Sequence, residues 1–504
     1  VGRNSIRLSR GEWLLLGLLS AWSLIPLAAG VAHLVQHGGV LGGTDGIGAV
    51  DHFQYLAWIR ESGEHGLASN RYDLADSSAV YLQPMWLLSG LAWAAGLPIQ
   101  AGLLLWKPVC VAVLFGGSAA YVRRTLEGRG ARLAALALAL FYLPPLAVLL
   151  NRTALGSDAA DGLAYLFGFQ LSPATYLWGY VQTAIAVGLM PVYLLALERR
   201  KVALASVAGL LVSWVHPWQG MVLLGILLGV AVWTRTVRPF VIPALATLAP
   251  LVYFLVLARV DAAWGEGSEA GGVAHEWGAL LLALAPLAAF AVAGVLARRP
   301  ARELDLQERM LLLWPVATLV VYALLDRTFI YNVLSGLTIP LAVLAVRGAA
   351  RLPRWAAVAA VVVATAPGLA NLVVELRAGL GAGNSPRYLE PGEADALEFV
   401  DGSPREGAVL TRLYLGQAVP GLAGRRTYVG HPSWSPDVSE RVDATERLFA
   451  GRLAPARVRA LVRETGVAFV VQDCVVRGDL TRELGPLLRS TRRFGCATVY
   501  EVGA

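Results

Sequence analysis

From Gly11 to about Glu375, apolar runs of helical length alternate with short polar breaks. The runs at 12–34, 100–121, 132–150, 178–197, 202–215, 217–234, 240–258, 278–297, 310–325, 329–346 and 355–374 each predict a helix that crosses a bilayer. A further run, 85–97, is too short for a hydrocarbon core of about 30 Å. Charge decides its placement. With the N-terminus (Arg3, Arg7, Arg10) in the cytoplasm and 85–97 left unspanned, every strongly basic break falls on the inner side. These breaks carry Arg123/Arg124/Arg129/Arg132, Arg199/Arg200/Lys201, Arg235/Arg238, Arg298/Arg299/Arg302/Arg309 and Arg347/Arg351/Arg354. The outer breaks hold only the isolated cations Arg60, Arg71, Arg152, Arg259 and Arg327. The expectation is therefore about eleven spans, with 85–97 lying in the interface or dipping into it. No small-residue cleavage site stands out after the first run, so it reads as a span and not as a cleaved signal. The tight junction at His216–Pro217 also allows 202–215 and 217–234 to be one bent segment, at the cost of the charge alternation.

After residue 376 the longest apolar runs are strand-sized and charges become frequent. This divides the chain into a membrane domain, 1–375, and an extracytoplasmic α/β domain, 376–504. Composition agrees. Of 504 residues, 56% are apolar and 15% charged, against roughly 25% charged in a soluble domain. That excludes a soluble multidomain protein and a disordered chain, and three cysteines exclude a disulfide scaffold. The net charge of +7 calls for no nucleic acid, because Arg-rich inner loops account for it. Trp13, Trp178, Tyr180, Trp214, Trp218, Trp233, Trp277, Trp314 and Trp355 fall near expected span ends, where aromatic rings anchor at the interface.

The outer segments hold the candidate chemistry. In the long first loop, roughly 36–84, residues 50–61 have helical apolar spacing. Asp51 stands at the start of that helix, either as an N-cap or as a catalytic carboxylate on a rigid element. Asp45 in its glycine-rich turn is a second candidate, and Tyr55 on the same helix a substrate contact. The loop 151–177 supplies Arg152, Asp158 and Asp161, and the tips at 326–332 and 215–219 supply Asp326, Arg327, His216 and Gln219. Lys107 lies within a span and either snorkels or faces a polar cavity. His216, beside a proline, is either a structural hydrogen-bonder or a ligand contact. The acidic, glycine-rich 259–278 reads as a mobile connector or a lid. No phosphate-cradling loop, dinucleotide fingerprint or metal-ligand cysteine spacing occurs. A divalent ion held by Asp carboxylates and a phosphate would suit the chemistry, although no spacing requires one.

In the C-terminal domain, 391–400, 443–450, 455–465 and 480–488 read as helices, and 408–410, 466–472 and 497–502 as strands. Cys474 follows one strand and Cys496 precedes another, so antiparallel neighbours would bring the sulfurs to one end of the sheet and allow a disulfide. The loop RRTYVGHPSWSPD, 425–437, contains His431 between aromatic residues and prolines. It is either an ordinary Pro-fixed loop or one that reaches back over the membrane cavity.

This combination resembles the GT-C superfamily of integral-membrane glycosyltransferases, in particular its bacterial protein-mannosyltransferase-like and aminoarabinose-transferase-like members. The residues that carry the resemblance are the first span, the large outer loop with Asp51 in DHFQYLAWIRES, the Pro-led QPMWLLSGLAWAAGL, the span ending in Arg123-Arg124, and the tail segments YLEPGEADALEFVDGSP and GRRTYVGHPSW. Tyr81-Leu82-Gln83-Pro84 stands where the family has His-Pro-Pro, and His52 follows Asp51 where an acidic pair is common. The resemblance implies transfer of a sugar from a polyprenyl-phosphate donor to a glycan, lipid or protein acceptor at the outer face of the cell membrane. Asp51 would be the base, with Lys107, Arg152 and Arg327 as phosphate contacts, and no cofactor is required. A lipid-linked-sugar carrier and a catalytically degenerate scaffold are the competing readings. Against a carrier, no internal repeat is evident.

Overall fold

The computed structural model of the protein describes residues 7–44, 48–145, 168–269, 274–297, 304–326, 328–381, 386–476 and 478–503. Asp45, Arg152, Asp158, Asp161 and Arg327 lie outside the described residues. Among the described residues, seven helices are long and apolar enough to cross a membrane: Arg10–His37 (α1), Ala101–Thr125, Val181–Glu198, Pro217–Thr234, Arg238–Val260, Trp277–Leu296 and Arg354–Val374. The other four expected runs hold the helices Arg129–Phe141, Val202–Val215, Leu306–Leu324 and Thr338–Gly348. The run 329–346 is not one continuous helix. Gly336, at φ 83°, separates a 3₁₀ turn, Ile330–Leu334, from the helix at Thr338. At His216 the chain is extended (φ −153°, ψ 90°), so the two helices flanking it are separate elements and not one bent segment.

The chain forms two compact units. The first comprises Val1–Ile25, Trp106–Leu255 and Gly271–Leu376, and the second Pro26–Leu105, Val256–Ala270 and Arg377–Ala504. Within the first, backbones approach closely at small residues, as membrane helices pack by van der Waals contact. A Cβ on Gly117 would lie 2.0 Å from the carbonyl oxygen of Gly188, and one on Gly294 2.1 Å from that of Leu344. The basic ends of several spans are tied by ion pairs, Arg123 to Glu12 (2.7 Å), Arg124 to Glu198 (2.5 Å) and Arg347 to Glu308 (2.6 Å).

In the second unit, helix α2 (Ala49–His65) packs on α3 (Pro84–Ala94), the short apolar run of the first loop. Pro84 opens α3, and the Gln83 side chain accepts the backbone N–H groups of Met85 (2.5 Å) and Trp86 (3.4 Å). Strand β1 (Val40–Leu41) pairs antiparallel with β2 (Tyr388–Leu389). Four more strands, β3 (Val409–Leu410), β4 (Phe469–Gln472), β5 (Leu488–Phe494) and β6 (Ala497–Val502), form a sheet of order β3-β4-β6-β5. β4 and β6 are antiparallel neighbours, and Cys474 and Cys496 are joined by a disulfide. The helix expected over 480–488 is shorter. Only Thr481–Leu484 is α-helical, and the chain then enters β5, an edge strand whose exposed arginines obscure its alternation.

Candidate functional site

Asp51 sits in the first turn of α2 at the third helical position. The N-cap is Gly48, in the left-handed conformation at φ 82°, which corrects the reading of Asp51 as the capping residue. Its side chain is 33% exposed. A negative charge there is favoured by the helix dipole.

One oxygen of Asp51 lies 3.5 Å from Nε2 of His431, a residue brought in from the loop 425–437 and itself buried. The ring orientation of His431 is fixed from behind. The backbone N–H of Ser433 donates to its Nδ1 at 3.0 Å, so in the neutral ring the proton resides on Nε2, the nitrogen facing Asp51. The loop is rigid for identifiable reasons. Ser435 Oγ accepts the N–H groups of Gly430 (3.0 Å) and His431 (3.2 Å), and Asn70 Nδ2 donates to the Trp434 carbonyl at 2.9 Å. Gly430 lies so close to Gly416 that a Cβ would fall 2.4 Å from its carbonyl oxygen. Arg441 donates to Asp73 and to the Tyr428 carbonyl, each at 2.8 Å. Tyr72 packs its ring 5.5 Å from that of His431 and donates its hydroxyl to the Gln417 carbonyl. Burial, and then the negative charge of Asp51, push the Tyr72 hydroxyl well above 10, so it stays a donor.

The face of α2 that carries Asp51 also carries Tyr55 and Trp58, at i, i+4 and i+7. Tyr55 is buried against Trp86, with ring centroids 4.9 Å apart. Trp58 belongs to an aromatic cluster with Tyr81 (4.8 Å), Trp264 (5.4 Å) and Trp434 (5.6 Å). Trp264 lies on Ala262–Glu269, a helix in a segment expected to be a mobile loop. Its Gly267 lets Trp434 rest on the helix, since a Cβ would meet that ring at 2.5 Å. Beside Trp434, a cavity of about 250 Å³ is lined by Asn70, Ala263, Glu266 and Ser433 among others.

Two other candidates have structural partners. Lys107 is buried, and its ammonium donates to the carbonyls of Ser23 (2.8 Å) and Leu177 (2.7 Å), next to the stacked rings of Trp22 and Trp178. His216 is buried at its helix junction, and Gln219, one turn on, donates to the carbonyls of Asn332 (2.9 Å) and Ser335 (3.1 Å).

Glu61, Glu64 and His65 place metal-type ligand atoms within 4.8 Å of one another. They do not fit a divalent ion. Glu61 is ion-paired with Arg71 and accepts both the N–H and the hydroxyl of Ser69, and Glu64 is paired with Arg60 at 3.0 Å. The carboxylate lone pairs are engaged, and two guanidinium charges would repel a dication. Sequence reasoning missed this cluster and Tyr72. Glu61, Glu64 and His65 at i, i+3 and i+4 were the available signal.

No family model matches the chain, and no curated protein does. Solved membrane glycosyltransferases share its fold. ArnT from Cupriavidus metallidurans, bound to undecaprenyl phosphate, matches with a TM-score of 0.54 at 13% identity, over 98% of this chain and 98% of that one. The apo oligosaccharyltransferase of Archaeoglobus fulgidus matches with a TM-score of 0.53 at 12% identity, over 94% of this chain and 71% of that one. AglB from the same organism, in complex with an inhibitory peptide and a dolichol-phosphate, gives 0.50 at 13% identity, over 92% and 69%. The chain is thus similar to these proteins in fold, a polytopic helical architecture.

Proposed function

We propose that this protein is a glycosyltransferase that moves a sugar from a polyprenyl-phosphate donor to a hydroxyl acceptor at the extracytoplasmic face of the cell membrane. In this reading the N-terminus is cytoplasmic and residues 376–504 are extracytoplasmic. The fold supports the donor class, since ArnT is bound to undecaprenyl phosphate and AglB to a dolichol-phosphate. The observation that carries the reading is Asp51, a partly exposed carboxylate held on a helix with His431 Nε2 at 3.5 Å.

The chemistry follows from that pair. The acceptor oxygen attacks the anomeric carbon, the bond from that carbon to the phosphate oxygen breaks, and the lipid phosphate leaves. Asp51 takes the acceptor proton, and single displacement inverts the anomeric centre. His431, whose Nε2 faces the carboxylate at 3.5 Å without closing a hydrogen bond, is in this reading a positioning residue; it touches no reacting atom. Negative charge developing on the leaving phosphate needs cations. Arg152 and Arg327 are assigned that role here, whereas Lys107 is engaged by two carbonyls. Asp158, Asp161, Asp45, Tyr55 and His216 remain proposed substrate contacts or supports of the pocket. No step requires a metal.

The test is transfer from a panel of radiolabelled undecaprenyl-phosphate sugars in membranes holding wild-type protein or Asp51→Asn. General-base catalysis contributes about 10²–10⁴-fold, and a loss of that size at equal expression is expected. Unchanged turnover rejects Asp51 as the base. Movement of labelled lipid across vesicles without transfer assigns the protein as a carrier instead.

A further inference from the structure

A large cavity lies away from Asp51 in sequence and has no part in the reaction above. It measures about 1480 Å³, and the described residues that line it all belong to the first compact unit. Its walls are the first two turns of α1, the helix Arg129–Phe141, the middle of Trp277–Leu296, the end of Thr338–Gly348 and the first half of Arg354–Gly381. These helices occupy expected membrane spans. The lining is almost entirely apolar, and its volume comes from small residues such as Ala134, Ala137 and Ala360 standing between Leu14, Leu18 and Phe290. Leu14 is 75% exposed and Val358 63% exposed. The groove is open at its side, and its apolar walls hold no water network. In a bilayer the space is filled by hydrocarbon chain.

The rim says which lipid. Three helices begin there, and the first residue of each is an arginine: Arg10, Arg129 and Arg354. Gly11, Gly130 and Arg354 line the cavity, so the three first turns share one mouth. All three arginines are exposed. Three other arginines at this end are neutralised, Arg123 by Glu12, Arg124 by Glu198 and Arg347 by Glu308. Among the described residues, none of the ion pairs involves Arg10, Arg129 or Arg354. These three guanidinium groups stand exposed at three helix N-termini around one mouth, a setting that favours an anion.

We propose that this cavity is a binding site for an anionic phospholipid of the leaflet at the basic ends of the spans. Its headgroup phosphate is held by Arg10, Arg129 and Arg354, and its acyl chains lie in the alanine-walled groove. Phospholipid is the solvent of that leaflet, whereas a polyprenyl phosphate acting as donor or product belongs at the Asp51 end of the reaction. The inference does not rest on the glycosyltransferase reading and stands if that reading fails.

Native mass spectrometry of the full chain in detergent, with phosphatidylglycerol, phosphatidylcholine or undecaprenyl phosphate added as separate probes, tests it. An arginine near an anionic headgroup contributes about fivefold in affinity. The wild type should therefore retain one phosphatidylglycerol with at least about tenfold preference over phosphatidylcholine. Replacing all three rim residues (Arg10→Gln, Arg129→Gln and Arg354→Gln) should reduce that preference to below about threefold while leaving some lipid bound. Ala137→Phe with Ala360→Phe should remove the retained lipid of either headgroup. If the filled variant fails to fold, the rim variant decides alone. Tighter retention of undecaprenyl phosphate than of phosphatidylglycerol, an unchanged headgroup preference in the rim variant, or a lipid distribution no different from random annular binding would each overturn the assignment.

Discussion

Replacing His431 by phenylalanine asks whether the Asp51–His431 contact serves the reaction or only the packing. The aromatic ring keeps most of the volume against Tyr72, whose ring centroid is 5.5 Å away, but removes the Nε2–H that faces Asp51 and the Nδ1 that accepts from Ser433. A hydrogen bond to a charged group contributes about 1.5–3 kcal/mol. At 3.5 Å the contact has not closed to a hydrogen bond, so about 1.5 kcal/mol, the low end of that range, is the largest loss expected, which is at most close to a tenfold fall in kcat. The Ser433 N–H is only half-buried and can turn to water, so the stability loss stays near 1 kcal/mol. The assay is transfer from a radiolabelled lipid donor with kcat and donor KM measured separately, beside the apparent Tm. The expected pattern is a lower kcat with donor KM nearly unchanged. A second arm distinguishes positioning from simple weakening of the fold. In an Asp51→Asn background the His431→Phe change should cost nothing further, because the residue acts through the missing carboxylate. Additive losses in the double variant would refute the reasoning, as would an increase in donor KM with kcat intact.

Three further outcomes follow from the same contacts. Lys107→Met leaves two buried carbonyls without their shared ammonium, so the apparent Tm should fall by an amount corresponding to about 3 kcal/mol with donor KM in the surviving protein unchanged; a selective rise in donor KM would instead make Lys107 a phosphate contact. Burial holds the Glu393 carboxyl above its usual 4.5, against the opposing hydrogen bonds from Cys474, Glu390 and Tyr414. Its contribution to stability is therefore complete below pH 4.5 and is lost as pH rises through its raised folded value, so wild-type protein should lose apparent Tm relative to Glu393→Gln across that window, and parallel curves would contradict this. Replacing Cys474 and Cys496 together by serine opens a cross-link with a sequence separation of 22 residues; chain entropy puts the cost at about 3 kcal/mol, read as a lower apparent Tm that reducing agent reproduces in the wild type and leaves unchanged in the double serine variant.

Local sequence was enough wherever one segment decides its own state. Runs of about twenty apolar residues can be satisfied only as helices in hydrocarbon; among the described residues seven of the eleven expected runs hold helices long and apolar enough to span, and the other four hold helices of 11 to 19 residues. The disulfide was legible because strand-type runs before Cys474 and after Cys496 leave few ways to pair. Elements that depend on distant partners were not legible. Ala262–Glu269 looked like a loop because Gly265 and Gly267 lower helix propensity, yet the Trp434 ring needs Gly267 to be bare, and that ring comes from the far end of the chain. β5 carries three arginines in seven residues and so shows no clear alternation, and no strand was expected there, although an edge strand tolerates such charges and is protected by them. Lys107 in an apolar run reads either as snorkelling or as facing a polar cavity, and its bonds to the carbonyls of Ser23 and Leu177, from distant segments, are not visible locally.

The same logic bears on the candidate site. Asp51 was legible because a carboxylate at a helix start has a local physical reason to be there. That local reason made it ambiguous, since a capping role explains the residue as well as a chemical one does. Gly48 at the N-cap removes part of the bland explanation, and His431 supplies the other part. A buried imidazole whose Nδ1 is occupied by a backbone N–H, and whose Nε2 is aimed at a partly exposed carboxylate, has no evident packing advantage over a phenyl ring of similar size. Burying a polar ring costs free energy unless its nitrogens are satisfied. The loop accepts that cost with two prolines, a serine that caps its own backbone and a close glycine–glycine contact, all of which serve to hold one nitrogen still. A fold that spends this much local order on the direction of a single N–H makes the carboxylate it points to the first residue to test.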